Sequence, residues 1–174
     1  GRSVDSLAED GPEIDIHKGD VFDHDSVAEA TTGHDAVIVC LGSTGLRDRD
    51  TLSTGTANVV DAMVDRSVER LIVLSAAGVG ESWRQIPRSS RLAFRTILRN
   101  VFADHQAQEQ IVEASSLNWT IVRAAVLKDG PGIGACTPTN SGSVTRIDRV
   151  DVAAFLVDQL VDQTYCRQAI SITG

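Results

Sequence analysis

Short continuous apolar runs alternate with longer amphipathic stretches from one end of the chain to the other. "EIDIHKGD", Glu13 to Asp20, alternates with the period of a strand and closes on Gly19-Asp20. "DHDSVAEATTG" has helical spacing, with Asp23 or Asp25 as its cap and Gly33 as its stop. "DAVIVCL", from Asp35, is the kind of strand that is buried on both faces. Thr51 to Arg66 places Leu52, Thr56, Val59, Val60, Met63 and Val64 on one helical stripe. Leu71–Leu74 is a second continuous apolar strand. Beyond it the pattern predicts a helix from Ser89 to about Asn100, then a second helix, or its continuation, over Asp104–Ser115. Trp119–Arg123 reads as a strand, "KDGPGIGACTPTNSGS" as a loop, and Val144–Ile147 as a short strand. A helix capped near Asp148 and a final strand, "AISITG", complete the pattern.

Strands alternating with helices, the central strands apolar throughout, predict a parallel sheet covered by helices on both faces. Ligands of such sheets lie beyond the carboxyl ends of the strands. Here those ends are Gly19-Asp20, Gly42 to Gly45, Ser75 to Gly78 and Arg123 to Val126, all small or polar. Tight turns favour such residues for their own sake, but their recurrence at successive strand ends points to a ligand cleft.

Composition narrows the picture. At 174 residues and 42% hydrophobic the chain reads as one globular domain with a proper core. A formal charge of -8 argues against nucleic acid or an anionic membrane as partner. The only lysines are Lys18 and Lys128, and arginine supplies the rest of the positive charge, which fits either a salt-adapted host or a GC-rich genome. Cys40, Cys136 and Cys166 lack the spacing of a zinc site or a disulfide framework, so a reducing, cytoplasmic setting without a metal is expected. His17, His24 and His34 form no metal pattern either. No G-x-G-x-x-G occurs anywhere in the chain.

The ordered set "GDVFDHDSV", "DAVIVCLG", "VERLIVLSAAGVG", "SSLNWTIVRAAVL" and "TRIDRVDVAAFLVDQLVD" resembles the atypical short-chain dehydrogenase/reductases of the NmrA-like NAD(P)-binding family. Within that family it is most similar to the flavin reductases that also act as biliverdin-IXβ reductases. The resemblance implies a Rossmann-type, doubly wound, three-layer α/β fold with NADP or NAD as cofactor. Family members open with a strand, a glycine-rich turn, a helix and a second strand. No counterpart of that unit precedes "GRSVDSL", so residues 1–174 are expected to form a partial domain with the first β-α-β absent. Such a chain would bind NADPH weakly or not at all and leave an exposed sheet edge prone to association.

The resemblance also assigns candidate residues, each with a plainer alternative. Asp20 falls where the family places a polar residue near adenine; otherwise it is a turn aspartate. Gly42, Ser43 and Thr44 would let backbone approach the cofactor's ribose and nicotinamide, or form a tight turn. Arg2 matches the arginine that grips the 2′-phosphate in NADPH-preferring members, or is a solvated terminal arginine. Ser75, followed by Ala76, stands where related dehydrogenases carry a catalytic Ser or Thr, or is a turn serine. His105 lies on the helix where the reductases also have a histidine, or is an ordinary surface residue. Arg123 and Ala124 stand where members read Arg-Pro; the alanine removes a rigid kink. Trp83 and Trp119 read as packing residues. The Tyr-x-x-x-Lys pair of the dehydrogenases is absent, the only tyrosine being Tyr165. The expected activity is therefore hydride transfer from NAD(P)H to a planar acceptor such as a flavin, quinone or tetrapyrrole. The alternative is a non-catalytic NAD(P)-binding sensor. Small molecules are the expected partners, and the oligomeric state is left open.

Overall fold

The computed structural model describes residues 15–46, 48–89, 91 and 96–174. In chain order its elements are α1 (His24–Thr31), β1 (Ala36–Val39), α2 (Thr51–Asp65), β2 (Arg70–Ala76), a 3-10 turn (Gly80–Gln85), α3 (Arg99–Ala114), β3 (Asn118–Ala124), β4 (Val126–Lys128), β5 (Thr137–Thr139), β6 (Arg146–Asp148), α4 (Arg149–Asp158) and β7 (Gln168–Thr173). The main sheet runs β1-β2-β3-β7-β5. β1, β2, β3 and β7 are parallel, and β5 is antiparallel to β7 at the edge. β4 and β6 form a separate parallel pair.

The strand period of two divides the core. Val39, Leu71, Val73 and Ile121 face one side, where they pack with Val27 of α1, Val59 and Met63 of α2 and Val112 of α3. Ile72, Val122, Ile170 and Ile172 face the other, against Val152, Phe155 and Leu156 of α4. Adjacent residues of β2 and β3 thus serve opposite layers, which is why Leu71–Leu74 of β2 and Ile121 and Val122 of β3 are apolar without alternation. The expected Rossmann-type, three-layer α/β architecture is what the chain adopts.

Several elements differ in detail from the sequence pattern. Residues 15–20 are exposed and carry no strand, because no described strand lies beside them to complete a ladder. β1 has β2 as its single described neighbour, and Ala36, Val37 and Ile38 are only half-buried. α2 buries Leu52, Thr56, Val59, Val60 and Met63 of the expected stripe, but Val64 turns outward. β5 sits inside the stretch expected to be loop; its pairing with β7 sets Pro138 opposite Ile172 at an edge, where proline is tolerated. Asp104 reads as a helix start but lies inside α3.

One helix is started by an exposed local cap, and another is tied to the sheet by a buried arginine. Asp23 caps α1, its carboxylate accepting from the Asp25 N–H at 3.1 Å. Arg70, at the start of β2 and only 9% exposed, donates from Nε and Nη2 to the Gln159 carbonyl at 3.0 and 2.6 Å and from Nη1 to the Asn118 carbonyl at 2.8 Å. It therefore ties the carboxyl end of α4 to the sheet, and burial pushes its pKa down from the usual guanidinium value. No helix among the described residues is long and apolar enough to cross a membrane.

Replacing Arg70 by alanine leaves the Gln159 carbonyl without its donors. The expected loss is about 2 kcal/mol, or about 4–8 °C in melting temperature, read by circular dichroism. An unchanged melt contradicts the assigned role.

Candidate functional site

The carboxyl ends of β1, β2 and β3 open into one cleft of about 350 Å³. Its floor is Gly42, Leu74, Ala76 and Ala124, and α3 supplies the wall with Phe102 and His105. Parallel strands present their ends on the same side of the sheet, so residues far apart in sequence converge here without side-chain reach. At Gly42 nothing lies within 4 Å of where a Cβ would be, so a flat group can lie directly against the backbone. Gly78 has the opposite constraint. Its φ is +105°, and a Cβ would approach Phe102 Cε1 to 2.8 Å, so the turn can pack under α3 only as glycine.

α3 is held in place by a succession of polar contacts. Asp104, 1% exposed, accepts from the Leu52 and Ser53 N–H groups at 2.8 and 2.9 Å and from Ser53 Oγ at 2.6 Å. It caps α2 from another helix, where Asp50, the residue preceding α2, makes no such bond. Gln106 accepts from the Gly80 N–H at 3.2 Å. Gln108 donates to Thr56 Oγ1 at 2.9 Å, which turns its carbonyl oxygen to His105 Nδ1 at 3.2 Å. In the neutral ring Nδ1 is then the donor and Nε2 keeps its lone pair. Burial lowers the His105 pKa below its ordinary value, against the opposing pull of Gln108, Glu109 and Asp104.

Glu109, 1% exposed, closes the set. Its carboxylate accepts from Ser75 Oγ at 2.6 Å, and from Arg123 Nε and Nη2 at 3.0 and 2.7 Å. Burial works against the Arg123 charge, but Glu109 more than offsets it, with Glu113 and Glu81 adding to the effect, so its pKa lies above the usual guanidinium value.

The structure brings Gly42, Ser75, Ala76, His105 and Ala124 together around the cleft. The Ser75 hydroxyl, however, spends its one hydrogen on Glu109, and the Arg123 guanidinium points into the same carboxylate rather than into the cleft. Ser43 and Thr44 fold around a different acid. Thr44 donates to Asp48 through its N–H at 2.6 Å and its hydroxyl at 2.8 Å, and Ser43 donates to the Gly45 carbonyl at 2.8 Å. The Thr44 N–H above all, with the Thr51 and Thr44 hydroxyls, holds the Asp48 carboxyl well below the usual carboxylate range despite some desolvation. Asp20 lies at a separate cavity with His17 and Ser26, where its carboxylate accepts from the Phe22 N–H at 3.0 Å. Arg2 lies outside the described residues. Trp119 is 7% exposed within the core. Sequence reasoning missed Asp104 and Glu109. The available signal for Glu109 was Arg123 itself, since an arginine in a buried apolar strand needs a carboxylate opposite it.

A family described as NAD(P)H-binding matches residues 1–163. An uncharacterised sugar epimerase, YhfK, of Bacillus subtilis is 28% identical over 155 residues, covering 86% of this chain and 67% of the relative. An uncharacterised chloroplastic protein of Arabidopsis thaliana is 28% identical over 176 residues, covering 95% of this chain and 62% of the relative. The chain thus spans about two thirds of these relatives' lengths. Among solved structures, ChuY, an anaerobillin reductase of Escherichia coli O157:H7, superposes with a TM-score of 0.74 at 22% identity, covering 90% of this chain and 73% of that one. At that identity the match speaks for the fold.

Two measurements check the site. Glu109→Ala leaves a buried, unpaired guanidinium and is expected to cost about 3–5 kcal/mol in urea unfolding, whereas the Glu109→Leu, Arg123→Met double variant costs far less. Equal losses would mean that the pair's charge is not the issue. The His105 ring, followed by proton NMR, is expected to titrate below 6.5. Because its folded pKa lies below the unfolded one, its contribution is intact above the unfolded value and is lost as pH falls through the folded one. A midpoint at or above the ordinary value contradicts the burial argument.

Proposed function

The chain belongs to the NAD(P)H-binding family, and on that premise we propose that it is an NAD(P)H-dependent reductase of a planar acceptor such as a flavin, quinone or tetrapyrrole. The observation that carries this reading is the apolar cleft at the strand ends, with open backbone at Gly42 and a single half-buried imidazole facing it. The anaerobillin reductase activity of ChuY supports the same class of acceptor.

The residues present fit the nicotinamide half of the cofactor: a flat ring finds open backbone at Gly42 and apolar walls at Leu74, Ala76 and Ala124. NAD(P)H, when bound, supplies a hydride. The protein's part is to orient and to exclude water. Ala76 and Ala124 do so by leaving no polar group on the floor, and Phe102 by closing the side beneath Gly78. His105 presents the Nε2 lone pair, so at neutral pH it accepts a hydrogen bond from an acceptor's N–H or O–H rather than donating a proton. Glu109, through Ser75 and Arg123, acts by positioning α3. With no Tyr-Lys pair and the Ser75 hydrogen engaged, a ketone or aldehyde would find no oriented acid for its developing alkoxide. Flavins and quinones need none.

The engaged Ser75 hydroxyl also favours a second reading, a dinucleotide-binding sensor without chemistry. NADPH absorbance, followed at NADPH concentrations that saturate binding and in parallel with FMN, a benzoquinone and a small ketone, separates the two. Turnover is expected with the first two and not with the ketone, and Ser75→Ala is expected to lower it only modestly. NADPH binding without turnover of any acceptor supports the sensor. Turnover of the ketone alone would overturn the proposed chemistry.

A further inference from the structure

A second cavity, of about 310 Å³, adjoins the cleft and shares Ala77, Ala125 and Val126 with it. It lies past the end of β3, on the far side of the cleft from β1 and Gly42. Ile86, Pro87 and Val144 complete an apolar wall. A single charged residue lines it: Arg146 of β6, paired in register with Val126 of β4.

Arg146 sits in the ladder with β4, and its carbonyl accepts from the Gly174 N–H at 3.0 Å. Its side chain is exposed, and no hydrogen bond or ion pair to the guanidinium occurs among the described residues. The carboxylate two positions along the strand, Asp148, is already opposed by Lys128 Nζ at 3.3 Å, and Arg149 is held by Asp129. Among the described residues the neighbouring cations are therefore compensated and Arg146 is not, in a chain whose net charge is -8. A planar guanidinium at the mouth of an apolar cavity is a fork for a carboxylate or a phosphate.

We infer that the acceptor is an amphiphilic anion, a planar apolar body lying across the cleft and this cavity with a carboxylate or phosphate monoester received by Arg146. The inference deepens the reductase reading and rests on it for the identity of the cleft, but it is tested by binding alone. FMN and riboflavin share one ring system and differ in the phosphate. Anthraquinone-2-carboxylate and 2-(hydroxymethyl)anthraquinone make the matching carboxylate pair. Each is titrated against the protein without NADPH, by ligand fluorescence or protein fluorescence quenching, in wild type, Arg146→Ala and Arg146→Lys.

A solvent-facing charge contact is modest, so the charged member of at least one pair is expected to bind about fivefold tighter at low salt. Arg146→Ala should level the two, Arg146→Lys should keep part of the difference, and added salt should shrink it. The pair that shows the preference tells phosphate from carboxylate. Equal affinities within both pairs in wild type, or a preference that survives in Arg146→Ala, would overturn the inference. Thermal melts of the variants, expected to match wild type because the side chain is exposed, separate lost binding from lost folding. A charge preference that vanishes in Arg146→Ala, found together with no NADPH-dependent reduction of any acceptor, upholds the anion site and overturns the reductase reading.

Discussion

The Glu109 carboxylate is the contact on which the placement of α3 against the strand ends depends. It reaches from α3 to the ends of two adjacent strands, taking Ser75 of β2 and Arg123 of β3 together. In the register of the sheet those two residues are direct neighbours, so one carboxylate spans the ladder and sets how far along the strands α3 can sit. A buried charge pair of this kind adds little net stability compared with apolar packing. What it does add is a penalty for any other arrangement, since a shift of α3 by one residue would strand a carboxylate and a guanidinium out of water.

The other polar residues of α3 extend the same logic to different partners. Asp104 caps α2, Gln108 meets Thr56, and Gln106 holds the turn at Gly80. Buried polar groups need partners, so each bond removes a rotation or slide that a purely apolar interface would tolerate. The result is a helix whose cleft-facing side is left to Phe102 and His105 while its inward side is committed. The close approach of α2 to the end of β1 is similarly specified, because a Cβ at Gly55 would come within 2.7 Å of Leu41.

These commitments explain an unusual distribution of polarity. The chain is acidic overall and its helix interfaces are rich in hydrogen bonds, yet the cleft itself is nearly apolar. Serine and arginine, the residues at the strand ends best suited to chemistry by type, are used to build the scaffold. The cleft is left to small and apolar residues and one imidazole, an arrangement suited to shaping and drying a site around a flat ligand rather than to delivering protons.

How much of this was legible in the sequence follows from range. The layers were: the middles of β2 and β3 are apolar on both faces because both faces are covered, and α1 and α2 declare themselves by a cap and a stripe, signals that depend only on neighbours a few residues away. The strand ends that form the cleft were legible for the same reason, since the chain order of β and α units dictates which ends point the same way. Ser75, His105 and Arg123 could be picked out by type and place, but not what they touch. Asp104 looks like the cap of its own helix and is the cap of another, 52 residues earlier. Glu109 looks like any exposed helix acid and is among the most buried side chains. A side chain's partner across the fold is decided by packing, which brings together residues whose separation along the chain carries no periodic signature. Tertiary structure alone therefore decided which polar groups were spent on the scaffold and which were left to face a ligand.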